Sequence, residues 1–124
     1  MKTQKLLSIK DAEKLESASM VLAIPDWHCK KSAAKDATGA DTDAFSTYAC
    51  KFCLTGALEA AGIPYNKYQE LLNATAHRLF GFYSRSESLI YFNDHPKTTN
   101  LDVAELLWVA AQKIRAFNKS IYDK

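Results

Sequence analysis

The sequence predicts an all-α protein, a compact bundle of about five helices with one long irregular loop in its N-terminal half. Three observations lead to this fold class. Helix-like runs end at stop signals such as Gly62-Ile63-Pro64, because Gly ends a helix well and Pro cannot continue it. Residues typical of helix N-caps precede several runs. The last run has apolar residues three and four positions apart, which is the period of an amphipathic helix.

The first predicted helix begins with a capping box formed by Ser8 and Asp11, in which each residue bonds a backbone amide of the other. It runs to about Ala23, because the residue before Pro25 disfavours helical backbone. Helical spacing places four residues on its inward face: Ala12, Leu15, Ser19 and Leu22.

Hydrophobic periodicity disappears after this helix, and we predict an irregular loop over about residues 25–42. The segment Asp36-Ala37-Thr38-Gly39 is typical of a tight turn, so the loop is compatible with a small β-hairpin. An irregular stretch of this length in a small domain is more often functional than idle.

Two helices are predicted to follow the loop. The first starts at Thr42 or Asp43 and runs through Cys50 and Cys53 to Ala61. The next opens with a capping box at Asn66-Lys67-Tyr68-Gln69 and runs to Phe80, where Gly81 ends it. Its predicted inward stripe is Tyr68, Leu71, Leu72, Thr75 and Leu79.

Two more helices complete the bundle. A short one, opened by Ser84-Arg85-Ser86-Glu87, runs from Ser88 to about Asn93 and ends at His95-Pro96. The longest starts at a capping box of Thr99 and Asp102. Its inward stripe is Val103, Leu107, Ala110, Ile114, Phe117 and Ile121.

Composition indicates a single domain, residues 1–124, of ordinary globular type. No apolar run approaches the roughly 18 residues that cross a bilayer, and no signal peptide is recognisable at the N-terminus, so we expect a cytosolic protein with no membrane partner. Sixteen basic and fourteen acidic residues interleave along the chain, and only three are Arg. A nucleic-acid binder usually concentrates its basic residues on one face. Nucleic acid is therefore a possible partner, but the sequence does not indicate it.

The sequence also resembles an uncharacterised family of bacterial and phage proteins. The residues that carry this resemblance are, in order, Trp27, Asp36-Ala37-Thr38-Gly39, Cys53-Leu54-Thr55-Gly56-Ala57-Leu58, Phe92-Asn93-Asp94 and Thr99-x-x-Asp102-Val103. The family pattern has Trp where this chain has Phe92, and Glu where it has Asp102. Because no activity is attached to the family, the resemblance supports the fold more than a function.

Besides ordinary packing of the cysteines in the core, the sequence allows two kinds of cysteine chemistry. A zinc site would draw on His28, Cys29, Cys50, Cys53, His77 and His95, but two of these cysteines lie one turn apart inside a predicted helix, which is poor spacing for zinc. A cysteine nucleophile would combine Cys53 with His95 and with Asn93 or Asp94, yet three turns into a helix its thiol gains little from the helix dipole. We expect no metal and no cofactor.

The predicted function is binding to another macromolecule, without catalysis. The predicted binding residues are Trp27, Lys30, Lys31, Lys35 and Trp108. An aromatic side chain beside lysines suits an acidic protein surface or a phosphate-bearing ligand. Small proteins of mobile elements often block host machinery, so an inhibitor or accessory protein acting on a bacterial system is a specific form of this prediction.

Two alternatives stay open. An enzyme or small-ligand binder would need a pocket lined by Trp27, Asp36, Cys53, Asn93 and Asp94. A homodimer would use the apolar surface of the last helix through Ile121.

Overall fold

The computed structural model describes residues 8–81 and 89–122, without the side chains of residues 65, 66 and 120–122. In these ranges the chain forms five α-helices and one small three-stranded antiparallel sheet. The helices are α1 (Ile9–Leu22), α2 (Leu54–Ala60), α3 (Tyr65–Phe80), α4 (Leu89–Asp94) and α5 (Asn100–Tyr122), and the strands are β1 (Ala34–Lys35), β2 (Asp41–Thr42) and β3 (Lys51–Phe52). The mostly helical fold is confirmed, and the sheet corrects the all-α class.

Helix α1 begins as predicted. The Ser8 amide donates to Asp11 Oδ2 at 2.8 Å, and the Asp11 amide donates to Ser8 Oγ at 3.3 Å, which is the reciprocal pattern of a capping box. A 3-10 turn, Pro25–Trp27, follows the helix. The four residues predicted to face inward, Ala12, Leu15, Ser19 and Leu22, are all buried.

The predicted hairpin forms around Asp36. Its Oδ1 accepts the amides of Thr38 at 2.9 Å and Ala40 at 3.1 Å, and Gly39 adopts a φ of 88° that favours glycine. Strands β1 and β2 therefore pair in antiparallel register across a closed turn.

The predicted start of the second helix is wrong. Residues 43–50 form turns and bends, β3 follows them, and α2 begins only at Leu54. Asp43 Oδ1 accepts the amide of Phe45 at 2.9 Å, and such local side-chain bonds compete with helix formation. Strand β3 then pairs with β1 on the edge opposite β2. The periodicity missed this pairing because it joins residues distant in sequence.

Helix α2 packs directly against the backbone that leads into β1. A Cβ placed on Gly56 would lie 1.9 Å from the carbonyl oxygen of Ala33, a distance that no side chain tolerates. Glycine is therefore required at this position by close approach of two backbones.

Helix α3 starts one residue earlier than its predicted capping box. Pro64 holds the N-cap position without a side-chain bond, so the box at residues 66–69 is wrong. A proline fixes φ near its helical value and needs no amide partner at a helix start. Gly81 ends the helix with a φ of 71°, as predicted. The predicted opening of the next helix at residues 84–87 lies outside the described residues.

Helix α5 forms the centre of the bundle and runs antiparallel to α1. Ser19 Oγ donates to the carbonyl of Ala104 at 2.6 Å, and Asn100 Nδ2 donates to the carbonyl of Leu22 at 3.1 Å. The predicted box is present, since Thr99 and Asp102 bond each other's amides at 3.0 and 3.1 Å.

The inward stripe of α5 is buried at Val103, Leu107, Ala110 and Ile114. Phe117 is 37% exposed, so its prediction as an inward residue is wrong, and the side chain of Ile121 lies outside the description. Nowhere in residues 8–81 and 89–122 is a helix long and apolar enough to cross a membrane.

Candidate functional site

A buried asparagine at the end of α4 holds three distant parts of the chain together. Asn93, which is almost fully buried, accepts the Leu54 amide through Oδ1 at 3.1 Å and donates through Nδ2 to the carbonyl of Cys29 at 3.1 Å. An amide donor and a carbonyl acceptor can be satisfied in only one orientation of the side chain. Asn93 therefore fastens α2 and the segment after the 3-10 turn to α4.

The two residues after Asn93 extend this contact. Asp94 is the last residue of α4, and His95 follows it. Asp94 Oδ1 accepts the backbone amide of Lys31 at 2.8 Å, and the carbonyl of His95 accepts Lys30 Nζ at 2.6 Å. Lys31 adopts a φ of 70°, a left-handed conformation that costs free energy for a residue with a side chain. The bond to Asp94 helps to hold this strained backbone.

His28 joins the same network through Asn93. Its Nε2 lies 2.7 Å from Asn93 Oδ1, and because that oxygen can only accept, Nε2 carries a proton in this contact. Burial lowers the pKa of His28, and the Lys30 ammonium adds to this, against the opposing effects of the Asn93 bond and the Asp94 carboxylate. The neutral imidazole is therefore the favoured form of the folded protein near neutral pH.

The cysteines occupy three different environments. Cys53 is the N-cap of α2 and accepts the Gly56 amide on Sγ at 3.3 Å, so its predicted place three turns inside a helix is wrong. Cys50 is exposed and Cys29 is buried. Burial, followed by the nearby Cys53, raises the pKa of the Cys29 thiol. In the described part of the chain, no three His, Cys, Asp or Glu side chains cluster closely enough to hold a metal ion.

The expected pocket of Trp27, Asp36, Cys53, Asn93 and Asp94 is brought together only in part. Asn93 and Asp94 are neighbours of α2, whose N-cap is Cys53. The bonds of the Asp36 carboxylate go to Thr38 and Ala40 of its own turn. These polar groups bond mainly to backbone, which is a structural use rather than the lining of an open pocket.

The predicted lysines are also largely engaged within the protein. Lys30 is bound to the carbonyl of His95, and Lys35 pairs with Asp41 at 2.8 Å. The ion pair lies on the surface, where such pairs contribute little to stability, and the Asp41 bond raises the pKa of Lys35. The three lysines therefore do not form a cluster of free cations.

The two tryptophans are on the surface, and each is 45% exposed. Trp108 lies at the contact between α1 and α5. Glu16 on α1 accepts bonds from Gln112 at 2.7 Å and from Arg115 at 2.6 and 2.8 Å. Because the helices are antiparallel, Met20, one turn after Glu16, and Trp108, one turn before Gln112, follow on the same side.

Two further apolar residues extend this side of the contact. Leu101 lies two turns before Trp108 on α5, and Ile24 lies two residues beyond the end of α1, in extended backbone. We call Met20, Leu101 and Trp108, together with Ile24 in the extended link after α1, the α1–α5 apolar face, and its members are 44–62% exposed. Trp27 continues from it, because its amide donates to the carbonyl of Ile24 at 2.9 Å.

Exposed carboxylates adjoin the α1–α5 apolar face. Residues 15–29 and 98–112 contain no Lys or Arg but four carboxylates, Glu16, Asp26, Asp102 and Glu105. Arg115 neutralises Glu16 and lowers the pKa of that carboxylate, while Asp26 and Glu105 are exposed. The absence of basic residues over both stretches is a sequence signal that would have pointed to this face.

The comparison with protein families assigns the chain. The model of a family of unknown function (DUF6197) matches residues 8–113, and the protein therefore belongs to this family. Neither the curated proteins nor the solved structures gave a match.

Proposed function

We propose that this protein acts without catalysis, by binding another protein through the α1–α5 apolar face. The observation that carries the proposal is the exposure of four large apolar side chains on one helix–helix contact. Single exposed apolar residues are normal on a protein surface, but a contiguous group containing Trp is typical of an interaction site.

The charge around this face specifies the partner. A surface with exposed Asp26 and Glu105, whose neighbouring Arg115 is paired with Glu16, favours a partner that presents apolar side chains flanked by basic ones. The expectation of an acidic or phosphate-bearing ligand depended on Lys30, Lys31 and Lys35 together, and the ammonium groups of Lys30 and Lys35 are engaged within the protein. The same carboxylates disfavour nucleic acid at this face.

Charge also argues against a second copy as the partner. In a symmetric dimer built on this face, Asp26 and Glu105 of one copy would meet the equivalent acidic surface of the other. Like charges brought together in this way oppose association. An unrelated basic partner is therefore the preferred occupant over a homodimer through the last helix.

The more specific role of an inhibitor or accessory protein from a phage or mobile element rests on the resemblance to bacterial and phage proteins. In that role, the partner would be a component of a bacterial system, which makes a bacterial lysate the natural source for a search.

Affinity capture from such a lysate tests the proposal with matched variants. We expect the wild type to retain a basic protein, and Trp108→Ala and Glu105→Lys to lose it. Ile90→Ala should keep it, since Ile90 is 53% exposed on α4, a helix that packs mainly on α2 and α3. Rising salt should weaken capture, because the proposed attraction is partly ionic. Equal capture by Trp108→Ala and the wild type would refute the face as the interface.

A further inference from the structure

A cleft separate from the α1–α5 apolar face lies between the end of α3, the end of α4 and the start of α5. It has a volume of about 370 Å³, within the range of about 300–1,000 Å³ that small-ligand pockets occupy. Its lining among the described residues is Phe80, Phe92, His95, Lys97, Thr98 and Asp102.

One wall of the cleft is aromatic. The rings of Phe80 and Phe92 lie 5.1 Å apart between centroids at an interplanar angle of 41°. Phe92 is fully buried and Phe80 is partly buried against the core. Phe92 supports Phe80 from the core, and the partly exposed ring of Phe80 is a fixed apolar surface on which a flat ring can pack.

The other wall contains an unsatisfied hydroxyl. Thr98 is 4% exposed, and among the described residues its Oγ1 is the buried side-chain oxygen or nitrogen without a hydrogen-bond partner. A buried polar group left unpaired costs free energy in the folded protein, and the threonine hydroxyl can both donate and accept. A ligand with a polar group at this depth would remove that cost.

Positive charge adjoins the hydroxyl. Lys97 is exposed and makes no ion pair with any described residue. The N-terminal end of the 23-residue helix α5 adds a partial positive charge. The negative charge of Asp102 opposes this positive potential, but Oδ2 of Asp102 is occupied because it accepts the Thr99 amide at the start of α5.

We infer that this cleft binds a small aromatic carboxylate. The ring of the ligand lies against Phe80, which Phe92 supports from the core. A carboxylate oxygen of the ligand accepts a hydrogen bond from the Thr98 hydroxyl, and Lys97 balances the charge. This inference does not depend on the proposed protein-binding face and survives its failure.

Calorimetric titration with 3-phenylpropanoate, its neutral amide and acetate tests this assignment. The carboxylate should bind about tenfold more tightly than the amide, since a charge-assisted contact is lost in the amide, and acetate, which has no ring, should not bind detectably. The Lys97→Gln variant should abolish the preference for the acid. No binding of the aromatic acid at about 10 mM, a concentration that detects very weak sites, would overturn the inference.

Thr98→Val provides a second readout that separates function from folding. Removing the hydroxyl should weaken binding of the acid severalfold and raise the thermal midpoint of the free protein, because the unpaired group is gone. The matched control is Thr75→Val, since Thr75 is fully buried but donates to the carbonyl of Leu71 at 2.7 Å, and it should leave the affinity unchanged. Unchanged affinity, or a lowered midpoint, in Thr98→Val would contradict the inference.

Discussion

Replacing Asn93 with alanine should remove the side-chain hydrogen bonds that join α4 to α2 and to the segment after the 3-10 turn, and so destabilise the protein. The change leaves the Leu54 amide and the Cys29 carbonyl without their side-chain partner, and both residues are buried. Each unmade buried hydrogen bond costs about 1–3 kcal/mol, so the pair predicts a loss of about 2–6 kcal/mol. A domain of this size has a total stability of about 5–15 kcal/mol, and the variant should therefore be close to the limit of folding.

Urea unfolding followed by circular dichroism measures this loss, and hydrogen exchange by NMR locates it. The Leu54 amide should exchange much faster in Asn93→Ala than its neighbours within α2, because only that amide loses a partner directly. Ser46→Ala is the control, since the bond from the Tyr48 amide to Ser46 Oγ stays within an exposed turn, and it should cost about 1 kcal/mol or less. A loss below about 1 kcal/mol for Asn93→Ala, with unchanged exchange at Leu54, would refute the role of Asn93 as a fastener.

Three further outcomes are expected. Gly56→Ala should destabilise the protein by more than about 3 kcal/mol in urea unfolding, because its Cβ would overlap the Ala33 carbonyl, whereas Gly39→Ala, with a φ of 88° but open space, should cost about 1 kcal/mol. The lowered pKa of His28 means that the unfolded chain binds more protons below about pH 6.5, so stability should fall as the pH decreases from that value, and His28→Gln should reduce this dependence; a wild-type stability that rises on acidification would contradict the assignment. A thiol reagent should modify Cys50 rapidly in the native protein and the other two cysteines only after unfolding, and equal rates for all three would contradict the described burial.

The sequence predicts those parts of the fold that local patterns determine. The capping boxes at Ser8 and Thr99 and the stop at Gly81 are each formed by residues a few positions apart, and each is present. The second helix was placed wrongly because strand β3 depends on pairing with β1, a contact across more than fifteen residues that periodicity does not contain. The Pro64 start of α3 was missed because a proline N-cap resembles a simple helix stop.

The site was harder to predict than the fold for the same physical reason. Asn93 and Asp94 were predicted as lining of an alternative pocket, but the residues that Asn93 bonds in α2 and after α1 lie 39 to 65 positions away, and only the folded chain brings them together. Trp27 and Trp108 were predicted as binding residues with burial in the core as the alternative, and only the folded structure gives their exposure and the engagement of Lys30 and Lys35. The apolar residues Met20 and Leu101 were missed because each belongs to the outward side of its own helix.

The most direct measurement of the central claim is photocrosslinking from the α1–α5 apolar face. A benzophenone amino acid in place of Trp108 should form a covalent adduct with one basic protein in a bacterial lysate, and excess unlabelled wild-type protein should compete the adduct away. The same amino acid in place of Ile90 should give no such adduct. An adduct of equal yield from both positions, or none from position 108 while the wild type still captures the partner, would contradict binding through this face.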